Sequence, residues 1–160
     1  MTDSEKRQKL LNYAYYYLNI RPRTVHEVRV YLSKKAQKLA FSTDLIDPII
    51  ARLTELKLLN DQEFVRWYVE GKFASSTKSL FRLKQELSKL GIVKDDMEDY
   101  FSDQSIDELA AARAALRSKW RRLAVLEPKI QFNKAAALLA RKGFSYDIIK
   151  KTIAEYRGDE

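Results

Sequence analysis

Apolar residues recur three and four positions apart along most of the chain, the spacing that lays them on one face of a helix. The pattern itself repeats. Val25, Val28 and Leu32 lead into Ser33-Lys-Lys-Ala36; Leu80, Leu83 and Leu87 lead into Ser88-Lys-Leu-Gly91; Phe132, Ala135 and Leu139 lead into Ala140-Arg-Lys-Gly143. The anchor leucines stand 55 and 52 residues apart. Self-similarity at such a period points to a repeat architecture. Gly91 and Gly143 fall where a left-handed C-terminal cap takes glycine. The first copy has Ala36 there, followed by the insertion Gln37 to Ala40, which predicts that its helix runs on for another turn.

A second amphipathic helix follows each of these. Phe41-Ser-Thr-Asp44, Ile92-Val-Lys-Asp95 and Phe144-Ser-Tyr-Asp147 align without gaps. Ile46, Met97 and Ile149 come next, and Ile50, Phe101 and Ile153 four residues later. The aspartates fall in the first turn, where a negative charge complements the helix dipole. In the first copy Pro48 suggests a start at Asp47, with proline at the first helical position.

A longer helix precedes each pair. It carries Leu10, Leu11, Ala14, Tyr17 and Leu18 in the first copy. In the second it carries Phe64, Tyr68, Val69 and Phe73, with Asp61 as the expected N-cap. In the third it carries Leu109, Leu116, Trp120 and Leu123. No segment alternates as a strand does. The chain therefore reads as all-α, in three tandem three-helix repeats: 1–60, 61–103 and 104–160. A unit of that size makes a marginal core alone. Stacking of neighbours into an elongated array, straight or curved, is expected, and such arrays offer extended binding surfaces.

Composition adds little to the fold and something to the setting. With only four Gly and three Pro in 160 residues, there are few breaks. There is no cysteine, which removes disulfides and thiolate metal sites and fits a reducing compartment. No apolar run approaches the roughly 20 residues that span a bilayer. The start, Met1-Thr-Asp-Ser-Glu-Lys-Arg, lacks the apolar core of a secretory signal. A cytoplasmic protein without a membrane partner is expected.

Charge changes the picture more. The net charge is +8 and the pI about 9.6. Residues 1–60 hold 11 basic and 6 acidic side chains, 61–103 hold 7 and 9, and 104–160 hold 12 and 7. Two basic ends thus flank a slightly acidic middle, and basic surfaces draw polyanions, chiefly nucleic acid. The basic residues are grouped. Arg113, Arg117 and Arg121 are four apart on one helix face, with Lys119 and Arg122 nearby. Lys78, Arg82 and Lys89 form another group. Arg21 and Arg23 flank Pro22 just before Thr24, an expected N-cap, and Arg29, Lys34, Lys35 and Lys38 follow. Arg141 and Lys142 close the third copy of the repeat. These stripes are candidates for contact with a phosphate backbone or an acidic partner. The competing role is a solvated helix face, or pairing with a carboxylate of a neighbouring helix.

Nothing points to catalysis. His26 is the single histidine, best read as a surface or packing residue. No His, Asp and Glu set has metal-ligand spacing, and no glycine-rich loop could cradle a phosphate. Asp95, Asp96, Glu98, Asp99 and Asp103 read as a helix start and its solvated face. No enzyme, cofactor or metal is expected. Tyr13, Tyr15, Tyr16 and Tyr17 point all round a helix. Tyr17 is assigned to packing, while Tyr13 and Tyr16 are open between packing and base stacking. Trp67 and Trp120 are expected in the core or between units.

Several ordered pieces of the chain resemble the RecX family, bacterial regulators of the RecA recombinase. They are Ala14-x-x-Tyr17-Leu18-x-x-Arg21-x-Arg23-Thr24-x-x-Glu27-Val28-x-x-x-Leu32 and Asn60-Asp61-x-x-Phe64-Val65-x-x-Tyr68-Val69. Lys78-Ser79-x-x-Arg82-Leu83-x-x-Glu86-Leu87-x-x-x-Gly91-Ile92 and Leu139-Ala-Arg-Lys-Gly143-Phe144-Ser145-x-x-x-Ile149 follow. The departures are Ser79 where the family often has glycine, Asn60 where it often has an acid, and the insertion Gln37 to Ala40. The resemblance implies three tandem three-helix modules. It also implies a protein that binds in the groove of the RecA–single-stranded-DNA filament. There it interferes with filament growth, ATPase, coprotease action and strand exchange in DNA repair and the SOS response. Partners are then RecA and single-stranded DNA, with double-stranded DNA as a further candidate, and a monomer is the default. Two other readings compete: a helix-turn-helix transcriptional regulator with a specific operator, and a helical scaffold that binds protein alone.

Overall fold

The computed structural model describes residues 1–76, 78–103 and 107–158, the side chains of 72–76 and 103 excepted. The expectations for the Phe73 and Asp103 side chains lie outside the described residues. Among those described there are nine α-helices and no strand. They are α1 (Asp3–Ile20), α2 (Val25–Leu39), α3 (Ile46–Glu55), α4 (Asp61–Ser76), α5 (Leu80–Lys89), α6 (Lys94–Asp103), α7 (Glu108–Leu123), α8 (Pro128–Arg141) and α9 (Tyr146–Arg157). The expected long–short–short pattern thus occurs three times in chain order.

The anchor leucines Leu32, Leu87 and Leu139 are fully buried, as are Val28, Leu83 and Ala135 on the same stripes. After each anchor the chain leaves its helix by the same bond. The N–H groups of Phe41, Ile92 and Phe144 donate to the carbonyls of Ala36, Leu87 and Leu139 (2.8, 3.0 and 3.2 Å). This closes a C-cap around a left-handed residue: Ala40 at φ 57°, Gly91 at 87° and Gly143 at 93°. In the first copy the bond is one turn later relative to the anchor, so α2 does continue through the insertion.

Two expected helix starts are corrected. Pro48 is the third residue of α3, which begins at Ile46 after a 3-10 turn over Thr43–Leu45 capped by Ser42. Proline is still harmless there, because the first-turn N–H groups have no partner within the helix. Asp61 does not cap its own helix. Asn60 accepts the Glu63 N–H (3.1 Å), and the Asp61 carboxylate reaches away to accept the Val25 N–H at the start of α2 (3.0 Å).

The backbone packs as two compact units: Met1–Arg66 with Leu87–Asp99, and Trp67–Glu86 with Tyr100–Glu160. The core of the first gathers Leu10, Ala14, Leu32, Ile46, Ile49 and Leu53 from α1, α2 and α3. That of the second gathers Ala111, Ala112, Ala115, Leu116, Leu139 and Ile153 from α7, α8 and α9. Trp120 is half-buried against Tyr156 (5.1 Å between rings). Trp67 is 44% exposed and belongs to neither of these two cores.

Each unit contains one copy of the same joint. In the first, Thr24 caps α2 by accepting the Glu27 N–H (3.0 Å), and its hydroxyl donates to the Leu90 carbonyl (2.6 Å). The Val25 N–H goes to Asp61, and Gly91 lies against His26. In the second, Ser79 caps α5 by accepting the Arg82 N–H (3.1 Å), and its own N–H donates to the Lys142 carbonyl (3.3 Å). The Leu80 N–H goes to Glu108 (2.6 Å), and Gly143 lies against Ser79. So the helix N-terminus of one triplet is always closed by an acidic residue and a glycine cap of the next.

Both acids are half-buried. Burial pushes the Asp61 carboxyl above its ordinary range; the Val25 hydrogen bond opposes this, and the carboxylates of Asp96 and Glu27 add to it. Burial raises Glu108 likewise, against its hydrogen bond from Leu80 and the charge of Lys84. A raised carboxyl holds its proton to higher pH in the folded state than in the unfolded chain. Stability from these sites therefore falls as pH rises from the ordinary carboxylate range through the raised values. Asp61→Asn with Glu108→Gln keeps an acceptor oxygen but cannot ionise. Its urea midpoint relative to wild type is expected to be higher at pH 7 than at pH 4; an equal difference at both pH values would contradict the assignment.

Candidate nucleic-acid and partner interface

The candidate basic residues fall into two classes. The first is engaged by partners within the fold. Arg21 and Arg23 converge on Glu27 (2.8 and 3.6 Å), and the Arg23 guanidinium lies 3.8 Å from the centre of the Tyr17 ring. Arg29 pairs with Asp47, and Lys78 with Glu86. Arg82 donates to the Arg141 carbonyl (2.8 Å). Arg113 is bound by both carboxylate oxygens of Glu155 (2.6 and 3.4 Å), and that bond raises its already high pKa further. These arginines and lysines orient helices. Of the six, Arg23 is well sequestered, with 11% of its side chain exposed.

The second class is exposed. Lys34 and Lys89 in the first unit face solvent, and so do Arg117, Arg121, Arg122 and Arg141 in the second; Lys35 and Lys142 are half-buried. No carboxylate among the described residues lies within ion-pair distance of Arg117, Arg121 or Arg122. The stripe expected at Arg113, Arg117 and Arg121 is thus divided: its first member is paired to α9, and the others are available.

Next to that stripe, α7 and α8 enclose a groove of about 430 Å³. Lys119 and Arg122 rim it from α7, and Lys134 and Arg141 from α8. Leu123, Leu126 and Leu138 line it between them. Four cations around an apolar floor suit an anionic ligand that also carries an apolar face. Lys134 was not singled out in the sequence. Its signal there is only an exposed position on α8, and its relation to Arg122 comes from packing.

Among the described residues there is no group of three His, Asp or Glu placed to hold a metal ion. No helix among them is long and apolar enough to cross a membrane. His26 is exposed, with its Cβ against Gly91. Tyr17 is a packing residue as expected, stacked on Tyr31 with ring centres 4.1 Å apart and planes 3° from parallel.

Comparison with known proteins agrees with this architecture. Residues 106–153 match the family model described as RecX, third three-helix domain. The regulatory protein RecX of Halalkalibacterium halodurans is 31% identical over 92% of the chain, which covers 54% of that relative. The RecX of Prosthecochloris aestuarii is 27% identical, with 97% of each chain covered. The chain spans about half the length of the first of these and 97% of the second. The crystal structure of RecX from Lactobacillus salivarius superposes with a TM-score of 0.81 at 30% identity, over 96% of this chain and 98% of that one. With its helices, caps and repeats accounted for and a structural counterpart matched over 98% of its chain at that identity, the chain belongs to the RecX family of regulatory proteins.

Proposed function

We propose that the chain is a non-enzymatic regulator that binds RecA and its single-stranded-DNA filament and chiefly inhibits recombinase, ATPase and coprotease activity, in the cytoplasm. The three helix triplets, 1–60, 61–103 and 104–160, serve as its modules, and it works as a monomer. The observation that carries the DNA and filament contact is the exposed cationic surface of α7. Arg117, Arg121 and Arg122 stand without carboxylate partners among the described residues, beside the groove rimmed by Lys119, Lys134 and Arg141. Keeping so many cations unpaired on one surface serves association with a polyanion better than it serves folding.

The test is co-sedimentation with RecA–single-stranded-DNA filaments across a salt series, with DNA alone as control, alongside RecA's DNA-dependent ATPase. Binding and inhibition at substoichiometric to stoichiometric amounts are expected. Changing Arg117, Arg121 and Arg122 together to Glu is expected to weaken binding and flatten its salt dependence by about 0.7 per lost phosphate contact. All three are exposed, so the far-ultraviolet circular dichroism should not change. A protein that neither sediments with filaments nor slows the ATPase overturns the function. A triple variant that binds as before overturns the arginine assignment.

A further inference from the structure

A second groove, of about 450 Å³, lies in the first unit. It is lined by Lys9, Asn12, Tyr13 and Tyr16 of α1 and by Tyr31 and Lys35 of α2, with no carboxylate in the lining. Tyr16 is 68% exposed and contributes nothing to the core, which α1 reaches through Leu10 and Ala14. The wall behind it is braced. Tyr31 stacks on Tyr17, and Arg23 lies over the Tyr17 ring. The Lys35 ammonium sits 4.7 Å from the centre of the Tyr13 ring and 5.5 Å from that of Tyr31. Burial, and then the neighbouring phenols of Tyr13, Tyr16 and Tyr17, push the Tyr31 hydroxyl upward, so it stays neutral and able to donate.

Flat ring faces beside ammonium groups call for a ligand that is planar and aromatic at one point and negative next to it. An unpaired nucleobase with its backbone phosphate has that form. Duplex DNA hides its base faces, and an acidic peptide brings charge without regularly spaced planar groups. Aromatic stacking with cationic tracking of the backbone is the general means of holding single strands. We propose that this groove is a stacking site for single-stranded DNA, with Tyr16 taking a base face, Lys9 and Lys35 the adjoining phosphates, and Tyr13, packed on the core, holding Lys35 in place. The site deepens the DNA side of the function proposed above and rests on it. Its test leaves RecA out, so the two can fail separately.

The experiment is fluorescence anisotropy of a labelled oligothymidylate with the purified full chain. Tyr16→Ala is expected to weaken binding roughly 5- to 100-fold, the range for one lost base stack. Tyr16→Phe should bind like wild type, because it keeps the ring. Lys9→Ala and Lys35→Ala should each lower the slope of log affinity against log salt by about 0.7. An abasic strand of equal length should bind wild type about as weakly as the normal strand binds Tyr16→Ala. Equal binding by Tyr16→Ala overturns the site, as does equal binding of the abasic strand, of duplex or of polyglutamate to wild type. Tighter binding of the matching RNA overturns the assignment to DNA. Circular dichroism of each variant, with Tyr16→Leu as a second ring-free substitution, separates lost binding from lost structure.

Discussion

Gly91→Ala is expected to cost about 2–5 kcal/mol of folding stability, combining left-handed backbone strain with overpacking. The residue has a φ of +87°, where a side chain is strained even in open space. Space is also lacking. A methyl group would lie 2.5 Å from His26 Cγ and nearer still to its Cβ. His26 is the second residue of α2, whose start is tied to Asp61 and to the Leu90 carbonyl, so it cannot easily withdraw. Gly158→Ala provides the control. Its φ is +77°, but nothing approaches within 4 Å, so only the strain applies. Adding His26→Gly to Gly91→Ala removes the clashing atoms. The pair should cost less than the sum of the single changes in a double-mutant cycle of urea unfolding. Strict additivity would refute the steric part of this account.

Leu139→Ala should be about as damaging, at about 2–5 kcal/mol, by removing transfer energy and leaving a cavity. Leu139 is fully buried among Leu116, Ala135, Phe144 and Ile153, and its carbonyl closes the C-cap of α8 through Phe144. The alanines of α7 bring its backbone close and leave little side chain that could move into the hole. Leu139→Met keeps most of the volume and should cost less than about 1.5 kcal/mol. Val125, also apolar but 83% exposed, should tolerate alanine within about 0.5 kcal/mol. A thermal or urea midpoint for Leu139→Ala close to that of Val125→Ala would contradict the assigned core. Against a typical total of about 5–15 kcal/mol, either large loss removes a substantial share of the stability.

Much of the local structure is legible in the chain itself. The stripes through Leu32, Leu87 and Leu139 are the buried ones, and Thr24 caps α2 as its position suggested. The insertion after Ala36 lengthens α2 to a left-handed Ala40. Periodicity was less informative for α7. Leu109 is only half-buried, while Ala111, Ala112 and Ala115 form much of the packed face. Alanine is a weak hydrophobic signal, yet it is what lets two helices approach closely. Asp61 misled for a different reason. Asn60 and Asp61 are both good capping residues, and the choice between them depends on the Val25 N–H, 36 positions earlier.

The candidate interface was less legible than the fold. Arg113, Arg117 and Arg121 look equivalent in sequence, at four-residue spacing. Glu155, 42 positions on, singles out Arg113 and leaves the other two exposed. Arg21 and Arg23 likewise look like a basic pair free to bind, and Glu27 engages both.

By itself, the sequence determined that the chain is all-α, where α2 begins and where α2, α5 and α8 end, that the unit recurs three times, and which family it belongs to. These properties rest on interactions within about four residues: helical periodicity, capping hydrogen bonds and the φ that glycine allows. Tertiary structure alone decided which cations are paired, that Asp61 and Glu108 close helices of another triplet, and that Gly91 is needed for space as well as for φ. It also decided that Lys134 and Arg122 rim one apolar groove. Each of these depends on groups dozens of positions apart, whose meeting is set by how the helix faces pack.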